Sequence, residues 1–253
     1  MGAKVAKSSF YFGRNPLVEA LRSGVKVDEI FVESQESETW LRAVLRSEFE
    51  GVAVKVSTQF PRDLKRDGAR TQGVAFRSDH RFYVDEADIN WDKQKRVLLC
   101  NHIEDVQNLG ALSRAAAAFG FGLVAHESQR SARVSEAVVR ASMGLAFRIK
   151  FLEFSNLLPF VLRLQASGFS VFGLEANGEH SLFEWDFHSG DSLALVMGSE
   201  SRGLAKPLER KLDFRLRIPM LKGVDSINVA QAGAIAMARL YAAGPGAMRT
   251  ASF

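Results

Sequence analysis

The sequence predicts an α/β protein whose larger part is a parallel sheet with helices on both of its faces. Strand-like apolar runs alternate with helix-like segments from Arg96 onward, which is typical of chains built from βαβ units. The first of these runs, Val97-Leu98-Leu99-Cys100, is apolar throughout, as expected of a strand that is covered on both faces. A chain of 253 residues has room for one such domain and for a smaller domain beside it.

The smaller α/β domain is predicted over residues 10–77, after a flexible tail of residues 1–9. Asn15 is expected to cap a helix that runs to Arg22, because Pro16 then occupies the first helical position, where proline is favoured. The remaining elements predicted for this domain are the strand 29–32, the helix 40–49 and the strands 52–56 and 73–76.

Residues 78–95 are polar and rich in acidic side chains, and they are predicted to link the two domains. The second domain is expected to span residues 96–246 and to be followed by a tail of residues 247–253. Its predicted strands are 97–100, 120–125, 147–152, 169–174, 193–197 and 214–218, and its predicted helices are 109–119, 134–143, 156–165 and 228–242.

The composition excludes several classes of protein. Hydrophobic residues make up 47% and charged residues 25% of the chain, which are values of an ordinary globular protein. Because no apolar run approaches the roughly 18 residues of a membrane span, and the amino terminus lacks an apolar segment, we expect neither a transmembrane helix nor a secretory signal. The single cysteine, Cys100, fits a reducing cytoplasm, and the five histidines lack metal-ligand spacing, so no metal is expected.

The positive charge is unevenly distributed over the chain, whose formal net charge is +4. Residues 55–81 carry seven cations against three acids, residues 130–150 five against one, and residues 202–217 six against two. Each segment therefore has a net charge of +4. If the three segments share one face they can bind a phosphate backbone; if they do not, they are ordinary solvated surfaces, and charge alone leaves both possibilities open.

Three loops that follow predicted strands are rich in polar residues and glycine, namely residues 101–114, 197–204 and 218–229. Ligands of parallel sheets bind at such loops. Familiar nucleotide motifs are missing: Gly198 and Gly203 have the spacing of a phosphate-binding loop, but Leu204 follows where that loop requires lysine. No strand is followed by a dinucleotide fingerprint, and no nucleophile elbow occurs. These absences disfavour phosphoryl transfer, hydride transfer and serine hydrolysis.

Taken together, the three loops resemble the motifs of the SpoU/TrmH family of S-adenosylmethionine-dependent RNA ribose 2′-O-methyltransferases. The motifs are Asn108-Leu109-Gly110 with Arg114, then Gly198-Ser199-Glu200 with Gly203, then Ile218-Pro219-Met220 with Ser226-Ile227-Asn228-Val229. They follow one another in the family's order over residues 96–243. Residues 12–21 and Gln72-Gly73-Val74 resemble the ribosomal-protein-L30e-like RNA-binding domain found in many members of the family.

The resemblance implies a parallel-sheet domain of the SPOUT type with a trefoil knot, preceded by a small L30e-like domain. It also implies a homodimer that binds RNA and uses S-adenosylmethionine without a metal. The two-domain layout looks most like the branch that methylates a guanosine of 23S ribosomal RNA. A tRNA target is the first alternative, and a non-catalytic RNA-binding protein that retains the fold is an alternative of another class.

Site residues follow from the resemblance by their positions in the motifs. The catalytic residues would be Arg114, Asn108, Glu200, Ser226 and Asn228; the cofactor would contact Leu174, Met197, Gly198, Ile218, Met220 and Ile227; and RNA would contact Arg14, Gln72 and Arg133. An arginine cannot readily be deprotonated, so Arg114 is expected to stabilise the developing oxyanion and to bind an adjacent phosphate.

Alternative roles are also considered for three of the catalytic candidates. Glu200 is expected to pair with Arg114 or with a backbone amide, or else to cap a helix that begins near Arg202. Asn108 and Asn228 are interpreted as helix N-caps as well as active-site residues, because the two roles are compatible.

Overall fold

The computed structural model of the chain describes residues 9–61, 71–187, 190–199 and 203–242. The chain divides into two compact units, which are described separately below. The first unit contains the described residues up to Phe82 together with Val134–Arg148, and the second contains Tyr83–Arg133 and the described residues from Ile149 onward. The two units divide residues 78–95 between them, and the segment Val134–Arg148, which the sequence pattern placed in the second domain, groups by its contacts with the first unit.

The first unit is built on a four-stranded sheet. Its strands are β1 (Ser9–Phe12), β2 (Glu29–Val32), β3 (Lys55–Ser57) and β4 (Val74–Ser78), and their order in the sheet is β1-β4-β2-β3. β4 is antiparallel to both of its neighbours, whereas β2 and β3 are parallel. The helices of this unit are α1 (Arg14–Arg22), α2 (Gln35–Glu48) and α4 (Glu136–Ala141).

The segment 134–148 joins the first unit through close packing and one ion pair. α4 packs against β1. Gly144 lies so close to α1 that a Cβ atom there would be 2.6 Å from the Cα of Pro16, and Arg148 Nε lies 2.5 Å from the Glu19 carboxylate. These contacts join residues far apart in sequence, so a local pattern could not predict them.

The ends of two helices differ from the prediction. α1 begins at Arg14, and its N-cap is Gly13 at φ 103°, so Asn15 lies inside the first turn and is not the cap. α2 begins five residues before the predicted start, because the Ser34 hydroxyl accepts a hydrogen bond from the Ser37 N–H (3.2 Å) and caps the helix there. β1 was not predicted.

The second unit contains a seven-stranded sheet in which every pair of neighbouring strands is parallel, and this confirms the predicted parallel sheet. Its strands are β5 (Arg96–Cys100), β6 (Leu123–Glu127), β7 (Lys150–Phe154), β8 (Phe169–Leu174), β9 (His180–Ser181), β10 (Ser192–Met197) and β11 (Phe214–Arg217). The order is β7-β6-β5-β10-β8-β11-β9. Strands β5, β10 and β8 are therefore neighbours, and the loops after them lie at one edge of the sheet.

The helices of the second unit are α3 (Val106–Ala118), α5 (Leu158–Ala166), α6 (Lys206–Glu209) and α7 (Val229–Ala242). α7 packs closely on α3, since a Cβ atom at Gly233 would lie 2.4 Å from the Leu112 side chain. A 3₁₀ turn at Leu145–Arg148 occupies the start of the predicted strand 147–152, so β7 begins only at Lys150. Neither β9 nor α6 was predicted, because both are too short to show a periodic pattern.

Within the described ranges, no helix is both long enough and apolar enough to cross a membrane.

Candidate active site

A cavity of about 640 Å³ lies at the carboxyl ends of β8, β10 and β11. Leu174 ends β8 and Met197 ends β10, and the loop between β11 and α7 lines the opposite side. All six residues that the resemblance assigns to the cofactor line this cavity, namely Leu174, Met197, Gly198, Ile218, Met220 and Ile227. Strand order explains this arrangement, because the strands that carry the second and third motifs are both next to β8.

Gly198 forms the tightest part of the cavity wall. A Cβ atom at this position would lie 2.4 Å from the carbonyl carbon of Gly203 and 2.7 Å from the backbone nitrogen of Leu204. Ser199 and Gly203 are paired by two backbone hydrogen bonds, of 3.1 and 2.9 Å. Glu200, between them in sequence, lies outside the described residues. α6 begins at Lys206 with Ala205 as its N-cap.

Asn228 connects the first motif to the third. Its Oδ1 accepts hydrogen bonds from the N–H groups of Ala230 (2.9 Å) and Gln231 (3.3 Å), which caps α7 as predicted. Its Nδ2 donates to Asn108 Oδ1 at 2.9 Å. The same side chain therefore begins a helix and joins two loops that are 120 residues apart in sequence.

Asn108 is not an N-cap, although the sequence pattern suggested one. α3 begins at Val106, and its cap is Asp105, which accepts a hydrogen bond from the N–H of Gln107 (2.8 Å). Asn108 lies in the first turn of the helix with its amide directed to Asn228. The second predicted role, at the site itself, is thus consistent with the contact that this residue makes.

The structure does not place all the predicted catalytic residues on the cavity wall. Ser226 and Asn228 line the cavity. Arg114 is exposed on α3, six residues after Asn108, and does not line it. An exposed guanidinium at this place is accessible to a large anionic substrate that approaches from solvent, which a buried one would not be.

A buried polar pair that the sequence analysis missed supports the site from behind. Asn101 is fully buried just after β5; its Nδ2 donates to Glu127 Oε2 (2.7 Å), and its Oδ1 accepts from the Ala205 N–H (2.9 Å). Glu127 Oε1 accepts in turn from the Leu157 N–H at 3.3 Å. This pair fixes the chain just beyond Gly203. The signal in the sequence was a polar residue directly after a continuously apolar strand.

Two charged residues on the cavity wall were also missed, Glu175 and Lys206. Burial raises the pKa of the Glu175 carboxyl, and the nearby Glu209 raises it further, whereas Arg215 and Lys206 act in the opposite direction. Glu175 follows the last residue of β8. The signal for it in the sequence was a charged residue directly after an apolar strand.

Arg14 and Gln72, predicted to contact RNA, lie together in the first unit. The backbone N–H of Arg14 donates to Gln72 Oε1 (3.0 Å), and its Nε donates to the Gln72 carbonyl (3.2 Å). The guanidinium is 5.0 Å from the centre of the Trp40 ring. In the second unit, Arg133 pairs with Glu153 (2.9 Å) and lies 5.2 Å from the ring of Tyr83.

The described parts of the chain contain no group of three or more His, Cys, Asp or Glu side chains that could hold a metal ion. Cys100 is fully buried in β5, and burial raises the pKa of its thiol to about 12. A thiol with such a pKa is neither a nucleophile nor a metal ligand near neutral pH.

The chain was compared with known proteins. The model of the SpoU rRNA Methylase family matches residues 95–238. An uncharacterized tRNA/rRNA methyltransferase of Mycobacterium leprae is 31% identical over 235 residues, which are 90% of this chain and 75% of the relative. The solved SpoU methyltransferase AviRb from Streptomyces viridochromogenes, in complex with AdoMet, superposes with a TM-score of 0.75 at 20% identity and covers 92% of this chain and 89% of its own. The AdoMet-bound rRNA methyltransferase from Sinorhizobium meliloti gives a TM-score of 0.70 at 24% identity, covering 92% and 86%.

Proposed function

This chain belongs to the SpoU rRNA methylase family and is an RNA methyltransferase, and we propose that it transfers a methyl group from S-adenosylmethionine to a ribose 2′-hydroxyl of RNA. The observation that carries the proposal is the cavity at the ends of β8, β10 and β11, lined by all six residues assigned to the methyl donor. The contact between Asn108 and Asn228 at its rim supports the catalytic assignment, since it joins residues of two separate motifs.

The cavity suits the methyl donor in size and in chemistry. Its volume of about 640 Å³ is in the range of small-molecule sites. Gly198 exposes backbone groups to the cavity, and Leu174, Met197 and Ile218 provide apolar walls against which an adenine can pack. When bound, S-adenosylmethionine supplies a methyl group activated by its sulfonium. A trefoil knot formed by the loops around this cavity is part of the proposal, as is an L30e-like fold of the first unit.

Catalysis requires that a weakly nucleophilic hydroxyl is held in line with the methyl group while negative charge develops on its oxygen. Arg114 stabilises this oxyanion and binds the neighbouring phosphate through its guanidinium. Asn108 and Asn228 position the ribose, and Ser226, exposed on the cavity wall, offers a hydroxyl to the same site. Glu200 is proposed to orient Arg114 or a backbone amide.

The proposed substrate is a guanosine of 23S ribosomal RNA, and tRNA is the second candidate. The name of the matching family refers to rRNA, and the mycobacterial relative is named for both kinds of RNA. Arg14, Gln72 and Arg133 are proposed to contact the RNA.

A homodimer is proposed as well; it is supported by half-buried apolar residues of α7, among them Ala234, Ile235 and Ala238. The reduced, buried Cys100 fits a cytoplasmic location.

Transfer of labelled methyl groups to RNA tests this function. The protein is incubated with labelled S-adenosylmethionine and separate pools of unmodified 23S rRNA, 16S rRNA and tRNA. We expect label in 23S rRNA, recovered after alkaline hydrolysis as a 2′-O-methylated dinucleotide. Label in tRNA alone would select the second candidate. Donor binding without label in any pool, assembled ribosomal subunits included, would favour an RNA-binding protein that has lost the activity.

Asn228 allows its two roles to be separated by substitution. Asn228→Asp keeps the oxygen that caps α7 but loses the Nδ2 donor to Asn108, so we expect near-normal thermal stability and methyl transfer reduced by about tenfold or more. Asn228→Ala removes both functions and should in addition lower the unfolding free energy by about 1 kcal/mol. Equal activity of Asn228→Asp and the wild type would show that the Nδ2 donor of Asn228 has no catalytic role.

A further inference from the structure

Glu175 is a buried carboxylate that the catalytic assignments above do not use. It follows Leu174, the last residue of β8, and lines the proposed donor cavity. Only 11% of its side chain is exposed. A carboxylate removed from water to this extent is unfavourable unless hydrogen-bond donors or cations compensate it.

The protein offsets the cost of burying this negative charge only in part. The backbone N–H of Leu204 provides one hydrogen bond. The nearest cation among the described residues, Arg215 Nη1, is 3.9 Å from Oε2, beyond hydrogen-bonding distance. Arg215 is held instead by Glu209 at 2.8 Å and by Glu179. Oε2 of Glu175 is buried and accepts no hydrogen bond from any described residue.

We infer that Glu175 is a polar anchor for the methyl donor, its carboxylate accepting a hydrogen bond from the donor's ribose hydroxyls or its α-ammonium group. This inference rests on the proposed function, since it assumes that the cavity binds S-adenosylmethionine. The geometry that supports it is a carboxylate on the cavity wall that has no cation at hydrogen-bonding distance among the described residues. Both groups of the ligand are hydrogen-bond donors, and the sulfonium adds a positive charge that a carboxylate favours.

Calorimetric titration of the full-length protein with S-adenosylhomocysteine tests the anchor without requiring activity. Glu175→Gln keeps the shape of the side chain but removes its charge, and we expect the affinity to fall by about tenfold or more. Glu179→Gln is the matched control, because Glu179 also holds Arg215 but is exposed and does not line the cavity. This control should bind within about twofold of the wild type.

The pH profile of binding adds a measurement that a purely structural role would not affect. Protonation of Glu175 removes the charged acceptor, so the affinity of the wild type should fall as the pH is lowered through the raised pKa of this group. The charged groups around it are Glu209 and Lys206 on α6 and Arg215 on β11. Glu175→Gln should lose this pH dependence, and Glu179→Gln should retain it.

A second ligand identifies the group that Glu175 contacts. 5′-Methylthioadenosine retains the adenine and the ribose but lacks the amino-acid tail. If Glu175→Gln weakens both ligands equally, the anchor binds the ribose hydroxyls; if it weakens only S-adenosylhomocysteine, the anchor binds the ammonium group.

Two results would overturn the inference, and they are distinguishable. Wild-type binding of S-adenosylhomocysteine with a flat pH profile, or unchanged binding by Glu175→Gln, would exclude the anchor and leave the proposed function intact. Failure of the wild type to bind S-adenosylhomocysteine would overturn the proposed function itself. Because the wild-type pH profile needs no variant, the test holds even if Glu175→Gln does not fold.

Discussion

Replacing Arg114 with alanine is expected to abolish methyl transfer and to leave donor binding unchanged. The guanidinium is exposed and does not line the cavity, so its removal does not alter the walls that hold the donor. It lies on the same helix as Asn108, whose side chain contacts Asn228 at the rim. Loss of a group that stabilises a developing oxyanion lowers kcat by about 10²–10³-fold. Single-turnover methyl transfer and calorimetric titration of the donor measure the two effects separately.

Two further variants make this result specific. Arg114→Lys keeps a positive charge but loses the planar, bidentate geometry that suits a phosphate, so we expect a partial loss of rate. The control is Arg163→Ala, which removes another arginine of the second unit. Arg163 lies on α5 and forms an ion pair with Glu86 at 2.7 Å, and its removal should not change the rate of methyl transfer. Turnover of Arg114→Ala at the wild-type rate would exclude the catalytic assignment.

Three strands of the second unit were predicted closely. β8 has the predicted bounds, Phe169–Leu174, and β10 and β11 differ from the prediction by one residue each. β8 and β10 are covered on both faces, so nearly every residue in them is apolar and the run itself marks the strand, whereas β11 (Phe-Arg-Leu-Arg) alternates apolar and charged residues. Short elements give no such signal, which is why β9, with two residues, was missed.

Helix ends and the division into units depend on contacts that a local pattern does not contain. Asn15 and Asn108 both looked like N-caps, yet Gly13 and Asp105 occupy those positions. A capping residue is defined by the backbone angle at which the helix starts, and several polar residues next to one another leave that start ambiguous. The segment 134–148 belongs to the first unit because of side-chain contacts, such as the ion pair of Arg148 with Glu19, across 129 residues.

The candidate site was predictable where its residues stand in motifs and unpredictable where they do not. Gly198 and Asn228 could be named because they stand in motifs, in the loops that follow β10 and β11, the two strands on either side of β8. Asn101 and Glu175 could not, although both follow directly after buried strands. Their importance becomes visible only in the structure, where Asn101 holds the chain at Ala205, and where Glu175 lines the cavity with no cation at hydrogen-bonding distance in the described part of the chain.

The substitution Gly198→Ala is expected to eliminate donor binding and to destabilise the protein. A Cβ atom there would be 2.4 Å from the carbonyl carbon and 2.6 Å from the carbonyl oxygen of Gly203, distances far inside van der Waals contact. These are backbone atoms, so no side-chain rotation relieves the overlap. The pairing of Gly203 with Ser199 and the bond from Ala205 to Asn101 hold this segment in place. We expect the unfolding free energy to fall by about 1–3 kcal/mol.

Gly122→Ala is the matched control for this substitution. Gly122 also has an ordinary backbone conformation, but its added Cβ would meet only Gln94 Oε1, at 3.5 Å, which is a normal contact with a flexible side chain. We therefore expect wild-type stability and donor affinity for Gly122→Ala, and at least about a hundredfold loss of affinity for Gly198→Ala. Calorimetry with S-adenosylhomocysteine and thermal unfolding provide the two readouts. If Gly198→Ala is destabilised but binds S-adenosylhomocysteine normally, the donor does not bind at this part of the cavity wall. The overlap of the added Cβ with Gly203 would disturb any ligand that contacts the wall there.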